Sequence, residues 1–232
     1  MATFALVHGA WHGAWCWERL APELERRGHR AIAVDLPSED PDATFSVYAD
    51  VVVDALEGET GDVVVVGHSL GGHTIPFVAE RRPVARLVYL CALLASPGVS
   101  FVDQLRSEGD GMLRREYQAG LDEGEAGLRR WVDFELAWSE LYGDCDEGTA
   151  RAAFERLRAQ ATGPYGVPFP LDAHPAVETA YILCTEDRMI DPAWSRAAAT
   201  ERLGVEPVEL PGSHSPFLSR PEELALLLER GL

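Results

Sequence analysis

The segment Val63-Val64-Val65-Val66-Gly67-His68-Ser69-Leu70-Gly71-Gly72 limits the fold of this chain more than any other. Four consecutive valines are too short a run for a helix, and their β-branched bulk suits a strand buried on both faces, as in parallel sheets. Gly67 and Gly71 stand two residues either side of Ser69 and leave room for a sharp strand-to-helix turn that lifts the serine hydroxyl out of the sheet. A Gly-x-Ser-x-Gly match is only moderately specific by itself. Its meaning depends on partners elsewhere in the chain.

The rest of the sequence alternates short apolar runs with helical patterns, which is the signature of α/β architecture with a mostly parallel sheet flanked by helices. Strands are expected at 4–7, 31–36, 63–66, 87–90, 180–184 and 205–210. Trp17, Leu20 and Leu24 share one helical face that Gly28 terminates, and Tyr48, Val52, Ala55 and Leu56 mark a second helix. Ser219 and Glu222 stand at capping-box spacing before a last helix, with Pro221 in its first turn. Residues 96–174 break the alternation with helical patterns rich in charge and aromatics and no convincing strand. The expected organisation is therefore a core of residues 1–95 and 175–232 with a helical cap inserted at 96–174.

Composition narrows the chemistry by exclusion. The net charge of −18 and the lack of a basic patch speak against a nucleic-acid partner. No stretch approaches the roughly 20 apolar residues of a membrane span, so no membrane partner is expected. Residues 1–7 carry no basic leader and run straight into a strand pattern, which makes the cytoplasm the expected compartment. All 20 residues counted as Lys or Arg are arginine, so Schiff-base catalysis, covalent pyridoxal phosphate and a P-loop lysine are excluded and no cofactor is expected. Cys16, Cys91, Cys145 and Cys184 have no C-x-x-C spacing and read as buried free thiols.

A serine hydroxyl becomes a useful nucleophile only when a neighbouring group takes its proton. Of the seven histidines, His214 follows the last strand in the loop Pro211-Gly212-Ser213-His214-Ser215-Pro216, on the sheet edge where Ser69 emerges. A base of this kind needs a carboxylate to fix its tautomer. Asp187 lies three residues past the strand at 180–184, on the same edge, whereas Asp191 before Pro192 reads as a helix N-cap. The chain order is Ser69, Asp187, His214, with the first strand ending in His8-Gly9-Ala10. His8 and His12 stand at i and i+4, but they flank glycines and lack the glutamate of a zinc motif, so no metal is expected.

The block His8-Gly9-Ala10-Trp11-His12-Gly13-Ala14-Trp15-Cys16-Trp17, the Ser69 turn, and the Thr185-Glu186-Asp187 and Gly212-Ser213-His214 loops together resemble one branch of the α/β-hydrolase superfamily. These are small esterases related to plant methyl-ester hydrolases and hydroxynitrile lyases, with bacterial relatives. The resemblance implies a catalytic triad of Ser69, Asp187 and His214, with the backbone N–H groups of Ala10 and Leu70 as the oxyanion hole. It implies cleavage of a carboxylic ester of a small, apolar or aromatic molecule through an acyl-enzyme. The lyases of this branch carry a threonine where this chain has Gly9 and a lysine where it has Ser215, which speaks against cyanide chemistry. Cyclase or acyl-transfer use of the same site, or a hydrolase-like ligand-binding receptor, stay open as alternatives.

Aromatics in the inserted segment exceed what an exposed linker could carry, and Trp131 and Trp138 are the two expected to touch substrate. Trp11, Trp15 and Trp17 either join them or hold the first helix against the sheet.

Overall fold

A computed structural model of the chain describes residues 1–230. Strands β1 (Thr3–Val7), β2 (Arg30–Val34), β3 (Val63–His68) and β4 (Arg86–Leu90) belong to a large sheet. β5 (Leu121–Glu123), β6 (Leu128–Trp131) and β7 (Gln160–Ala161) form a small one, and β8 (Thr179–Cys184) and β9 (Val208–Leu210) return to the first. The large sheet has the order β2-β1-β3-β4-β8-β9, and every pairing in it is parallel. The expected α/β fold is therefore observed.

Burial follows position in that order. Every residue of β1, β3 and β4 is buried, whereas edge strand β2 is only partly buried. Parallel strands need a crossover between them, and the helices that supply it cover both faces of the central strands. The valine run of β3 is the consequence, since Val65 and Val66 pair with Ala5 and Leu6 on one side and with Leu87 and Val88 on the other. Among the described residues, no helix is long and apolar enough to cross a membrane.

Residues 96–174 depart from the expectation of helix alone. Helices Phe101–Glu108, Phe134–Leu141 and Glu147–Phe154 are present, with Ser100, Asp133 and Asp146 accepting the N-cap hydrogen bonds at their starts. Between them β5, β6 and β7 pair antiparallel. These strands have three, four and two residues, and β5 and β6 carry charges instead of alternating apolar positions, so period-2 patterning is absent. The segment is tied to the loops above the large sheet by backbone hydrogen bonds. Arg158 N donates to Trp11 O at 2.7 Å, Ala161 N to Ser38 O at 2.7 Å and Arg114 N to Met189 O at 3.2 Å.

The capping box expected at Ser219 does not form. Ser219 ends a short helix, Pro216–Ser219, its hydroxyl has no partner among the described residues, and Arg220 takes the N-cap position of helix Pro221–Leu228. The proline pair Pro216 and Pro221 splits the segment into two helical starts, which displaces the serine from the cap.

Buried imidazoles give the fold a built-in sensitivity to acid. Burial pulls His8 down from 6.5 to about 4, and His12 and His73 down to about 3. The unfolded chain binds protons near pH 6.5 that the native state refuses, so the stability is complete above pH 6.5 and is lost as pH falls toward 4. At pH 5 each of the three costs about 2 kcal/mol. His73 is ringed by Phe45 and Phe101, with centroids 5.0 and 5.1 Å away, and its Nδ1 has no partner among the described residues. His73→Phe is expected to reduce the loss of unfolding free energy between pH 7 and pH 5 by about 2 kcal/mol. Urea titrations at the two pH values measure it, and an unchanged loss would show that His73 is not among the groups responsible.

Candidate active site

The turn after β3 is built from close backbone contacts. A Cβ on Gly71 would lie 2.9 Å from Val7 O and 3.0 Å from His8 O, so the turn packs against the end of β1 only with glycine there. Ser69 takes φ of 50°, a left-handed value that non-glycine residues rarely adopt. Leu93 N donates to Ser69 O at 3.0 Å and helps to hold it there. Backbone strain of this kind persists only where the surroundings over-determine it. Trp11, with φ of 63°, is a second such position, and both residues line the same cavity.

Asp187 and His214 meet because the pairing of β8 with β9 continues into their loops. Thr185 N donates to Leu210 O and Glu186 N to Gly212 O, each at 3.0 Å, so the two chains stay side by side past the sheet. His214 Nδ1–H then donates to Asp187 Oδ2 at 2.8 Å. Asp187 Oδ1 accepts from Met189 N at 2.8 Å and from Ile190 N at 3.0 Å, which fixes the carboxyl group. Both side chains are buried, and Glu186 is exposed. Asp191 accepts from Ala193 N and Trp194 N as the N-cap of helix Pro192–Ala198.

His68 connects this pair to the Ser69 turn. Burial holds its imidazole neutral, well below 6.5, and its Nε2–H donates to His214 O at 2.9 Å. The His68 and His214 rings lie 4.7 Å apart, so the residue preceding Ser69 positions the loop that carries His214.

The loop after β1 is held by two further histidines. Leu36 N donates to His8 Nε2 at 3.1 Å, which leaves the His8 proton on Nδ1, where it is donated to Gly9 O at 2.8 Å. That carbonyl belongs to the same planar peptide as Ala10 N–H, so His8 sets the direction of the Ala10 amide. His12 is placed the same way, its Nδ1–H donating to Ala10 O at 2.9 Å and the Tyr142 hydroxyl donating to its Nε2 at 3.0 Å. Both rings are thus committed to hydrogen bonds within the protein. His8, His12, His68 and Tyr142 were not identifiable as positioning groups from sequence; the one signal was that three of them are histidines inside apolar or glycine-rich runs.

Ala10, Ser69 and Leu70 share the wall of a cavity of about 580 Å³, roofed by Phe101, Tyr117 and Tyr165. Among the described residues the Ala10 amide has no acceptor, and Leu70 N–H lies in the first turn of helix Ser69–His73, where helical acceptors are lacking.

Trp131 and Trp138, the two expected to touch substrate, are not among the residues that line this cavity. Trp131 stands behind the wall, its ring 5.7 Å from that of Trp11 and 6.5 Å from that of Tyr117. Trp138 stacks on Phe134, donates from Nε1 to Cys145 O, and borders a separate hollow of about 500 Å³ beside Asp187 and Arg188. Trp131 backs Trp11 and Tyr117, which present their rings to the cavity. Of the N-terminal tryptophans Trp11 lines it, while Trp17 packs on Phe217 and Trp15 on His12.

Gly9 explains one departure from the lyase pattern. A Cβ there would lie 2.7 Å from Ser69 Cβ and 3.0 Å from His68 Nδ1, closer than side chains tolerate. Gly9→Thr is expected to lower the unfolding free energy by about 1–3 kcal/mol, as overpacking does, read from urea denaturation at pH 7.5. Wild-type stability in that variant would mean that the turn and the first loop can separate freely.

The sequence profile of the alpha/beta hydrolase family matches residues 4–225. The chain is 31% identical to the pyrethroid hydrolase of Sphingobium wenxiniae over 95% of its length and 84% of the relative's. It is 29% identical to methylesterase 3 of Arabidopsis thaliana, covering 97% of this chain and 94% of the other. The crystal structure of a pyrethroid hydrolase from Sphingobium faniae superposes with a TM-score of 0.79 at 28% identity, covering 98% and 96% of the two chains.

Proposed function

Because the chain belongs to the alpha/beta hydrolase family, we propose that it is a serine-dependent hydrolase of carboxylic esters of small molecules, with Ser69, Asp187 and His214 as its triad. The observation that carries this reading is the convergence of a strained Ser69, a buried His214–Asp187 pair and two backbone amides at one edge of a parallel sheet. The similar proteins include a pyrethroid hydrolase and a methylesterase, which supports an ester as the substrate class.

His214 takes the proton of the Ser69 hydroxyl as Oγ attacks the ester carbonyl, and Asp187 stabilises the imidazolium that results. The carbonyl oxygen gains charge within reach of the Ala10 and Leu70 amides, and a preorganised donor of this type is worth about 2.7–4 kcal/mol of barrier. His214 returns the proton to the leaving alcohol, and Ser69 holds the acyl group. Water then gives its proton to His214, attacks the acyl carbon, and the free acid leaves as Ser69 regains its proton. The inserted segment 96–174 acts in this scheme as a cap that shapes the acyl or alcohol pocket. Four buried, unpaired thiols support a reducing compartment, and we place the enzyme in the cytoplasm.

Ser69→Ala is expected to lower kcat on small aryl esters by at least about 10³-fold while its circular dichroism and melting temperature stay near wild type. A fluorophosphonate should label the wild-type chain once, at Ser69, and free acid should be the sole acyl product. Full activity in the variant, or an acyl product other than the free acid, would overturn the reading.

A further inference from the structure

We propose that the preferred ester carries a second, ionised acid group, a carboxylate held at the mouth of the cavity by Arg106, Arg115 and Arg129. This deepens the hydrolase reading and rests on it.

The argument starts from an imbalance of charge. The chain has 38 acidic residues against 20 arginines and a net charge of −18. Yet the cavity that holds Ser69 is lined by Arg106, Arg115 and Arg129, and among its described lining residues there is no carboxylate. The three come from separate elements: Arg106 from helix Phe101–Glu108, Arg115 from the turn Arg115–Gly120, and Arg129 from β6. A neutral ester gives no use for three guanidinium groups in a space whose other lining is mostly aromatic and aliphatic, with Gln118 and Thr162 as further polar side chains.

Nearby acids leave Arg106 and Arg129 with capacity to spare. Arg106 Nη1 lies 2.8 Å from Asp103 Oδ1, and Arg129 Nη2 lies 3.2 Å from Glu123 Oε1. Each contact engages one nitrogen of a fork that has five N–H donors. Asp103 also accepts from the Ser100 hydroxyl at the start of its helix. Both ion pairs are exposed, with 73% and 36% of the arginine side chains accessible, and exposed pairs hold their partners weakly. A ligand carboxylate can therefore exchange in as a planar, two-oxygen acceptor that matches a guanidinium fork.

The field has the shape for such a ligand. A surface dominated by carboxylates repels an anion everywhere except at a positively lined opening, and low-dielectric walls focus that potential inward. The apolar interior then takes the hydrocarbon chain, with the scissile carbonyl at Ser69 and the charged end at the mouth. Half-esters of dicarboxylic acids have this form.

The test compares chain-matched substrates. Mono-para-nitrophenyl adipate and suberate are set against para-nitrophenyl hexanoate and octanoate, and the ratio of kcat/KM between charged and neutral members is read. Wild type is expected to favour the charged member by at least about tenfold at about 20 mM salt, with the preference shrinking at about 300 mM as the exposed charges are screened. The combined substitutions Arg106→Gln, Arg115→Gln and Arg129→Gln should reduce the ratio about tenfold, chiefly through KM. A ratio near one in wild type, or one that the triple substitution leaves in place, overturns the proposal. Cleavage of the neutral esters reports on the hydrolase reading separately. Calorimetric titration of Ser69→Ala with monomethyl adipate and methyl hexanoate gives the same charged-to-neutral ratio as Kd without turnover. Equal affinities there overturn the carboxylate preference even if no ester is cleaved.

Discussion

The parallel register of the central strands sets where every reactive group stands. β1 and β3 pair up to Val7 and Gly67, β3 and β4 up to His68 and Leu90, and β8 and β9 up to Cys184 and Leu210. Strands that run together in this way finish along one edge, and the loops beyond their carboxyl ends face a common crevice. Ser69, Asp187, His214 and Ala10 are distant in sequence but all follow strands that end along that edge. The apolar burial of β1, β3 and β4 holds that register, because sliding one strand by a residue would exchange the side chains that its two buried faces present to the packed layers on either side.

On top of the sheet, neutral histidines do the fine placement. His8 orients the peptide that ends in Ala10 N–H, His12 holds the next carbonyl, and His68 holds the His214 carbonyl. A neutral imidazole is well suited to this because one ring nitrogen donates while the other accepts, so it can join two backbone segments within a dry interior. The same burial that makes these hydrogen bonds strong lowers the proton affinity of the rings. Placement of the loop after β1 and intolerance of acid therefore have one cause.

What was legible in the sequence was what local pattern controls. A valine run followed by Gly-His-Ser-Leu-Gly specifies strand, turn and helix within ten residues, and Asp187 and His214 each follow a recognisable strand at a short interval. The small sheet of β5, β6 and β7 was illegible because its strands are short, lack apolar alternation and form only through pairing with one another. Trp131 and Trp138 mark the limit for side chains: an aromatic in a packed segment is apolar in either layer, and only tertiary placement decides which ring meets the cavity. Ser219 fitted a capping pattern that two prolines moved out of register.

The backbone ties between the inserted segment and the loops of the large sheet bear on how molecules come and go. Trp11, which stands on the cavity wall, receives one of them, and Met189, which lines the same cavity, receives another. A roof bonded to the walls it covers cannot swing away without breaking hydrogen bonds to the loops that shape the cavity. Traffic through the cavity then depends on side-chain rotation at its aperture, and the enzyme's choice among esters becomes a matter of what passes a fixed doorway, decided before any bond is broken.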